Sequence, residues 1–201
     1  MIDIGFTIKA FLLLGIERFL YGYWYSFPKH FEKSVRSGKF GSRIQAEPHL
    51  WKCAMTLGMY IKVFQFSVIV FDLLVRCDLT DPRSSQEALV KAGAGVILVL
   101  IGQILNYSVF KALKPVGVYY GYEFGYKVPM VSCFPYNTGI SDPQYWGVVS
   151  CVWGVYLSLG ASSNIVPILE TFWYIMSMKV LENPRGRKFA RAFIGEDAKK
   201  E

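Results

Sequence analysis

The sequence predicts an all-α fold, a polytopic integral membrane helical bundle of four to five transmembrane helices that ends in a C-terminal helical hairpin. Hydrophobic residues make up 53% of the chain, and they fall into runs close to the roughly 20 residues that a helix needs to cross a bilayer. Aromatic residues reach 16%, and such side chains are enriched where lipid meets water. The length of 201 residues favours one domain, 1–201.

The N-terminal part combines an apolar run with a basic connection. The run 4–25 is long enough to span a bilayer, but Lys9, Glu17 and Arg18 interrupt it. We therefore expect this segment to tilt, to lie partly in the interface, or to pair its charges inside the bundle. The segment 26–52 carries several basic residues and glycine breaks, so it is predicted to be a polar loop.

The rest of the chain contains the cleaner membrane signals. The runs 53–75 and 88–113 are apolar almost throughout and predict two spanning helices. The segment 114–144 is rich in Gly, Pro and Tyr, and such irregular backbone is tolerated at membrane depth only where it is buried in protein or lines a cavity. We therefore expect a site there. The runs 145–160 and 164–181 predict the C-terminal hairpin.

The distribution of charge predicts an orientation. Lysine and arginine dominate 26–52 and the tail 182–201, whereas the connection 76–87 is slightly acidic. The positive-inside rule then places 26–52 and the tail on the cytoplasmic side and 76–87 on the other side. With one spanning helix on each side of 76–87, the segment 114–144 is also cytoplasmic, and the tail returns to that side only if the hairpin crosses twice. The candidate site then faces the cytoplasm.

Net charge and cysteine usage limit the kinds of ligand and partner that the sequence predicts. The net charge of +7 lies mainly beside apolar runs, so anionic lipid headgroups are favoured as its partner over nucleic acid. The four cysteines form no Cys-x-x-Cys pair. This pattern argues against a disulfide framework and against a metal site, and we predict no metal.

Several residues outside the apolar pattern have both a structural and a functional interpretation. Gly102 and Gly121 are typical of helix packing in lipid, and alternatively of close backbone approach to a ligand. Asp142 and Pro143 form a common helix start, which also provides N–H groups for an anion. Glu182 directly follows an apolar helix, where the helix dipole disfavours a carboxylate and favours a cationic partner for it.

An ordered set of short motifs then resembles the phospholipid N-methyltransferases, and the plant and fungal enzymes most of all. The resemblance covers about 102–182, and no single motif in it is specific. Its members are Gly102-Gln103-Ile104-Leu105-Asn106, Gly117-Val118-Tyr119-Tyr120-Gly121, Phe124-Gly125, Phe134-Pro135-Tyr136, Asp142-Pro143-Gln144-Tyr145-Trp146-Gly147 and Leu181-Glu182.

The resemblance implies a multi-pass enzyme of the endoplasmic reticulum membrane that methylates phosphatidylethanolamine or its mono- and dimethyl derivatives to give phosphatidylcholine. It implies S-adenosylmethionine as the methyl donor, and 102–182 as the donor-binding and catalytic region. Glu182 is expected to bind the donor's amino group, and His49 or Asp142 to take a proton from the substrate amine. The predicted donor-binding residues are Gly102, Tyr120, Gly121, Pro135, Pro143, Tyr145, Gly147 and Glu182.

Two alternatives stay open at this point. A membrane enzyme that methylates the carboxylate of a prenylated cysteine shares a similar helix start, but it usually has histidine where this chain has Asp142. A non-enzymatic protein that shapes the bilayer is the other. Such a protein has no need of the Gly- and Tyr-rich segment 114–144 or of a glutamate at the last helix end.

Overall fold

A computed structural model describes residues 4–76, 86–129 and 131–193, and within these ranges the chain forms helices and no strands. The hairpin, the long apolar helices and the irregular segment before the hairpin all occur where the sequence predicts them. The helices are α1 (Ile4–Ser26), α2 (Pro28–Arg36), α3 (Ser42–Gln45), α4 (Leu50–Arg76), α5 (Gln86–Val118), α6 (Pro143–Leu159), α7 (Ile165–Met176) and α8 (Pro184–Phe193).

Two helices, α4 and α5, are long and apolar enough to cross a membrane. Most of their side chains are not buried inside the protein, and large apolar side chains such as Val63, Phe66 and Ile97 are exposed. In water such a surface is unfavourable, whereas in lipid it is an ordinary outer face. The lengths and compositions are consistent with association with a membrane. Crossings by α1, α6 and α7 stay predictions.

The C-terminal hairpin has clear helix boundaries. α6 ends at Gly160, which adopts the left-handed conformation (φ 60°) that glycine accepts without strain. Pro167 lies in the first turn of α7, where its missing N–H costs no hydrogen bond. α7 then continues into a π-helical turn, Ser177–Leu181. Such turns are often found at functional sites, and this one leads directly to Glu182.

One segment predicted to be a loop contains helices. The predicted loop 26–52 includes α2 and α3, and the tail, for which no structure was predicted, includes α8. In α2, Pro28 occupies the first turn, and Phe31 and Val35, four residues apart, are fully buried. This short apolar stripe was hidden among the basic residues that suggested a loop. α5 is interrupted at Lys114, whose backbone dihedrals are not helical, and this break directly follows the predicted apolar run 88–113.

The structure brings together the three segments that were predicted to share one face. The Tyr126 hydroxyl of the segment 114–144 accepts a hydrogen bond from the backbone N–H of Leu50 (3.2 Å). Arg187 of α8 pairs with Glu123 (2.5 Å). The segment that precedes the hairpin is therefore held between the N-terminal connection and the tail.

α5 and α6 pack antiparallel through glycines, in the most extensive contact between elements of the fold. Gly95 faces Gly154 and Gly102 faces Gly147, and the two glycines of each helix are seven positions apart. A Cβ placed on Gly154 would lie 2.5 Å from the carbonyl oxygen of Gly95, and one on Gly147 would lie 2.9 Å from that of Gly102. We call these four residues the glycine interface.

Candidate functional site

Glu182 lies at the centre of the candidate site. Its Oε2 atom accepts hydrogen bonds from the hydroxyls of Tyr120 (2.8 Å) and Tyr145 (2.6 Å). Its Oε1 atom is buried and has no hydrogen-bond partner among the described residues. A buried carboxylate oxygen without a partner is energetically unfavourable. This geometry therefore indicates a further hydrogen-bond donor at Oε1.

A cavity of about 180 Å³ adjoins Glu182, and we call it the Glu182 cavity. It lies between the start of α6, the irregular segment and the end of the π-helical turn. The residues that line it are Leu113, Gly117, Val118, Tyr120, Tyr136, Asp142, Pro143, Gln144, Tyr145 and Glu182. Five predicted site residues, Tyr120, Asp142, Pro143, Tyr145 and Glu182, thus lie around one space.

Asp142 occupies the N-cap position of α6, as its place before Pro143 predicts. Its backbone is left-handed (φ 52°), and its side chain makes no capping hydrogen bond. The usual structural role of an aspartate at this position is therefore not fulfilled here. The carboxylate remains available on the wall of the Glu182 cavity.

Burial shifts the acidity of both carboxyl groups in the same direction. Burial raises the pKa of Glu182 above its ordinary value, and the charge of Arg18 and the hydrogen bonds from Tyr145 and Tyr120 oppose this effect. Partial burial likewise raises the pKa of Asp142, opposed by the charge of Lys179. A carboxyl group with a raised pKa is a stronger base in its ionised form.

A second cavity, of about 200 Å³, lies next to the first and shares four of its lining residues. We call it the Arg18 cavity. Its lining joins the irregular segment to α1, α4 and α7. The lining residues are Arg18, Tyr21, Lys62, Asn106, Phe110, Val118, Tyr119, Tyr120, Gln144, Tyr145, Val148 and Tyr174.

Charged groups inside the bundle form one wall of the Arg18 cavity. Glu17 pairs with Arg18 (2.5 Å) and with Lys62 (2.6 Å). Lys62 also donates hydrogen bonds to Gln65 (2.9 Å) and to the Tyr174 hydroxyl (3.0 Å). Gln65 in turn donates a hydrogen bond to Glu170. We call these six residues the polar cluster: Glu17, Arg18, Lys62, Gln65, Glu170 and Tyr174.

The polar cluster confirms, for Glu17 and Arg18, one of the arrangements expected for the first helix, in which its charges pair inside the bundle; Lys9 is exposed. Sequence reasoning did not assign Arg18, Lys62 or Tyr174 to a site. A signal was present, because an ionisable residue within an apolar helix is costly and usually faces a partner or a cavity. Arg18 and Lys62 each satisfied that description.

The structure does not bring the other predicted site residues to either cavity. His49 is exposed, and its ring packs against Tyr126, 5.9 Å between centroids. Gly102 and Gly147 face each other in the glycine interface. The N–H of Gly121 donates to the carbonyl of Val116, and the carbonyl of Pro135 accepts from the Thr138 hydroxyl. The roles assigned to these five residues stay predictions.

No group of three or more metal-ligating side chains occurs among the described residues. The ionisable groups of the site are carboxyls, phenols, one guanidinium and one ammonium. This donor set suits the binding of a cation and an anion side by side, since it offers charge of both signs with hydrogen-bonding groups between.

Comparison with known sequences gives a consistent result. A sequence model of the phospholipid methyltransferase family matches residues 90–189, about half of the chain. The phosphatidyl-N-methylethanolamine N-methyltransferase of Arabidopsis thaliana is 35% identical over 96 residues, which are 45% of this chain and 54% of that protein. The protein of the same name from Schizosaccharomyces pombe is 30% identical over 109 residues, 54% of this chain and 55% of that one.

The chain therefore spans about half the length of these curated relatives. The matched region contains α5, α6, α7 and the segment between them, together with Glu182. No solved structure matches the chain.

Proposed function

Because the chain belongs to the phospholipid methyltransferase family, we propose that it transfers a methyl group from S-adenosylmethionine to the amine of phosphatidylethanolamine or of its mono- or dimethyl derivative. The names of the two relatives favour the monomethyl lipid as substrate. The observation that carries the proposal is Glu182, whose buried Oε1 lacks a partner beside a cavity that Asp142 also lines. A methyltransferase family implies a donor of this type in general.

The residues present fit such a donor. Its amino group is cationic, and Oε1 of Glu182 is a buried acceptor without a donor. Tyr120 and Tyr145 hold the other oxygen of the carboxylate and so fix its orientation. Their rings also border the Glu182 cavity, where an aromatic face attracts a sulfonium or an alkylated ammonium. Bound there, the donor would supply an electrophilic methyl group whose sulfur leaves as a neutral thioether.

The acceptor amine must lose a proton before its nitrogen forms the new bond to carbon. Of the two predicted bases, Asp142 lies in the same cavity as Glu182 and His49 does not. We assign the proton to the Asp142 carboxylate, whose pKa is raised by partial burial. Alignment of amine and methyl group in one cavity supplies much of the remaining rate enhancement, because well-oriented reactants avoid the entropy cost of meeting.

The proposal includes a place in the cell and a topology. The chain is a multi-pass protein of the endoplasmic reticulum membrane, with α1 and the hairpin crossing in addition to α4 and α5, and the site faces the cytoplasm. The lysines of α2 are exposed, and in the proposed topology they lie on the same side of the membrane as the irregular segment. They provide charge for anionic lipid headgroups at that surface.

The alternatives are less well supported. Methylation of a prenylcysteine carboxylate needs no base to deprotonate its nucleophile, yet Asp142 lies at the cavity with its side chain uncapped. A purely structural protein would not need the unsatisfied oxygen of Glu182. Neither relative carries a name of these kinds.

The test is methyl transfer by the purified full chain from labelled S-adenosylmethionine, with phosphatidylethanolamine and its mono- and dimethyl derivatives offered separately. We expect label in lipid, with the monomethyl substrate ranked first. Absence of label in all three, despite donor binding, would show that the acceptor is another molecule.

Variants then separate the proposed roles. Glu182→Gln keeps the shape and removes the charge, so we expect it to abolish measurable donor binding, whereas Glu87→Gln, at an exposed helix end, should bind normally. Asp142→Asn should keep donor binding and reduce turnover by about 100-fold or more. Normal turnover by Asp142→Asn together with loss in His49→Ala would transfer the role of base to His49.

A further inference from the structure

Arg18 is a buried cation with unused hydrogen-bonding capacity. Its side chain is 1% exposed, yet it lines the Arg18 cavity. Its Nη2 atom pairs with Glu17, while Nε and Nη1 have no hydrogen-bond partner among the described residues. Buried guanidinium groups are usually satisfied by carboxylates or phosphates, so the unpaired N–H groups indicate a missing anionic partner.

The charges around Arg18 also indicate a missing anionic partner. Arg18 and Lys62 both pair with the single carboxylate of Glu17, and the other carboxyl group of the polar cluster, Glu170, accepts its hydrogen bond from Gln65 instead. One carboxylate is thus paired directly with two cations, and neither cation has a carboxylate to itself. A buried guanidinium that shares its carboxylate in this way attracts a further anion.

Arg18 and Glu182 both contact the side chain of Tyr145. The Tyr145 hydroxyl donates to Oε2 of Glu182 (2.6 Å), and the guanidinium carbon of Arg18 lies 5.3 Å from the centre of the Tyr145 ring. The rings of Tyr21 and Tyr174 also face the guanidinium, at 4.8 Å and 4.2 Å. The charge of Arg18 is near enough to lower the pKa of Glu182 against the larger effect of burial.

We propose that Arg18 binds the carboxylate of the methyl donor's amino-acid end, while Glu182 binds the ammonium of the same end. This inference rests on the proposed function, and it assigns a residue of α1, outside the region matched by the family, to the donor site. An α-amino acid carries both charges on one carbon. The structure offers a buried acceptor, Glu182, and a buried donor group, Arg18, both in contact with Tyr145.

The phosphodiester of the lipid acceptor is the other source of anionic oxygens. A carboxylate is favoured because it is planar and matches the guanidinium fork with two parallel hydrogen bonds. It is also joined to the ammonium that Glu182 is proposed to hold, so both ions enter in a single binding event. The two sources are distinguished by which ligand's affinity depends on Arg18.

The first measurement uses the wild-type chain, so that folding of a variant is not in question. Binding of S-adenosylhomocysteine, the demethylated donor, is compared by calorimetry with that of its carboxamide, which has the same shape without the charge. We expect the carboxamide to bind about 10- to 100-fold more weakly, the usual effect of a charged hydrogen bond. Equal affinities would overturn the inference, whereas binding of neither ligand would overturn the proposed function itself.

Two variants assign the effect to Arg18. Arg18→Gln should bind the acid and the carboxamide with equal affinity, because no cation remains to distinguish them. Arg18→Lys keeps the charge without the fork and gives an intermediate ratio even if the glutamine variant fails to fold. A full wild-type ratio in Arg18→Lys, combined with a raised KM for the lipid alone, would assign Arg18 to the phosphodiester and overturn the inference.

Discussion

The glycine interface and the polar cluster join helices of this bundle in opposite ways. Between α5 and α6, the backbones meet directly because Gly102 and Gly147 leave no side chain between them. Between α1, α4 and α7, ion pairs such as that of Glu17 with Lys62 add to apolar packing. The first contact depends on close packing alone and the second also on electrostatic pairing, and both replace a hydrophobic driving force that lipid does not provide.

The glycine interface fixes the position of two helices precisely, whereas the polar cluster supplies charged groups to the interior. Each glycine contact is local, so losing one leaves the others intact. In the polar cluster each ion depends on its partners, because an unpaired charge away from water is costly. The candidate site uses both regions. Tyr145 lies in the first turn of α6, which the glycine interface fixes against α5, and its ring contacts Arg18 of the polar cluster.

Removal of Glu17 should give the largest effect on stability. Glu17→Ala leaves Arg18 and Lys62 without the carboxylate they share, and breaking a buried ion pair on one side costs about 3–5 kcal/mol. The measurement is unfolding of the purified chain in mixed micelles, followed by circular dichroism. The control is Glu87→Gln, since Glu87 pairs with Lys91 at an exposed helix end, where an ion pair contributes little to stability. Similar losses in the two variants would show that the cluster is not held by charge.

A methyl group in the glycine interface should have the next largest effect. In Gly102→Ala the added Cβ overlaps the carbonyl oxygen of Gly147, which is backbone and has no freedom to turn aside. We expect a loss of about 1–3 kcal/mol as α5 and α6 separate. Gly93→Ala is the control, because no atom lies within 4 Å of its Cβ position, and alanine is the better helix former. If both variants lose stability equally, the cost does not come from packing between α5 and α6.

Much of the fold can be predicted from hydrophobic and turn patterns in the sequence. Bilayer-length apolar runs predict α4 and α5, and Pro167 together with the polar break predicts the hairpin. α2 was missed because only two of its residues, Phe31 and Val35, bury a hydrophobic face among basic neighbours. So short a stripe gives a weak periodic signal in a sequence, although burial by aromatic neighbours is enough to fix the helix.

The site was predictable only in part, for a physical reason. Tyr120, Asp142 and Glu182 belong to the motif set, and the structure places them around one cavity. Arg18 and Lys62 lie far away in the chain, and which cavity they face depends on the packing of α1 and α4. Sequence spacing indicates that a charge in an apolar helix needs a partner, but it does not identify that partner.

The smallest effect concerns Tyr145, where the two regions meet. The hydroxyl stabilises the ionised form of Glu182, so Tyr145→Phe should raise the pKa of that carboxyl further above its ordinary value. The variant should also lose about 1 kcal/mol of stability. Donor affinity is expected to increase with pH as Glu182 ionises, with a midpoint above the ordinary carboxyl value of 4.5, and this midpoint moves higher in the variant. Calorimetric titrations across pH, with Tyr122→Phe as a control at an exposed tyrosine, provide the comparison.

Stability should respond to pH in the opposite direction from affinity. A carboxyl whose pKa is raised by folding binds its proton more tightly in the folded state, so its contribution to stability is present at low pH. That contribution is lost as the pH increases from the unfolded value through the folded pKa, the same range in which donor binding strengthens. Buffer-dependent binding enthalpies would report the proton that Glu182 releases when a cation binds. Donor affinity and stability that rise together across this range would show that Glu182 is held ionised by the fold, and that Tyr145 and Arg18 outweigh burial.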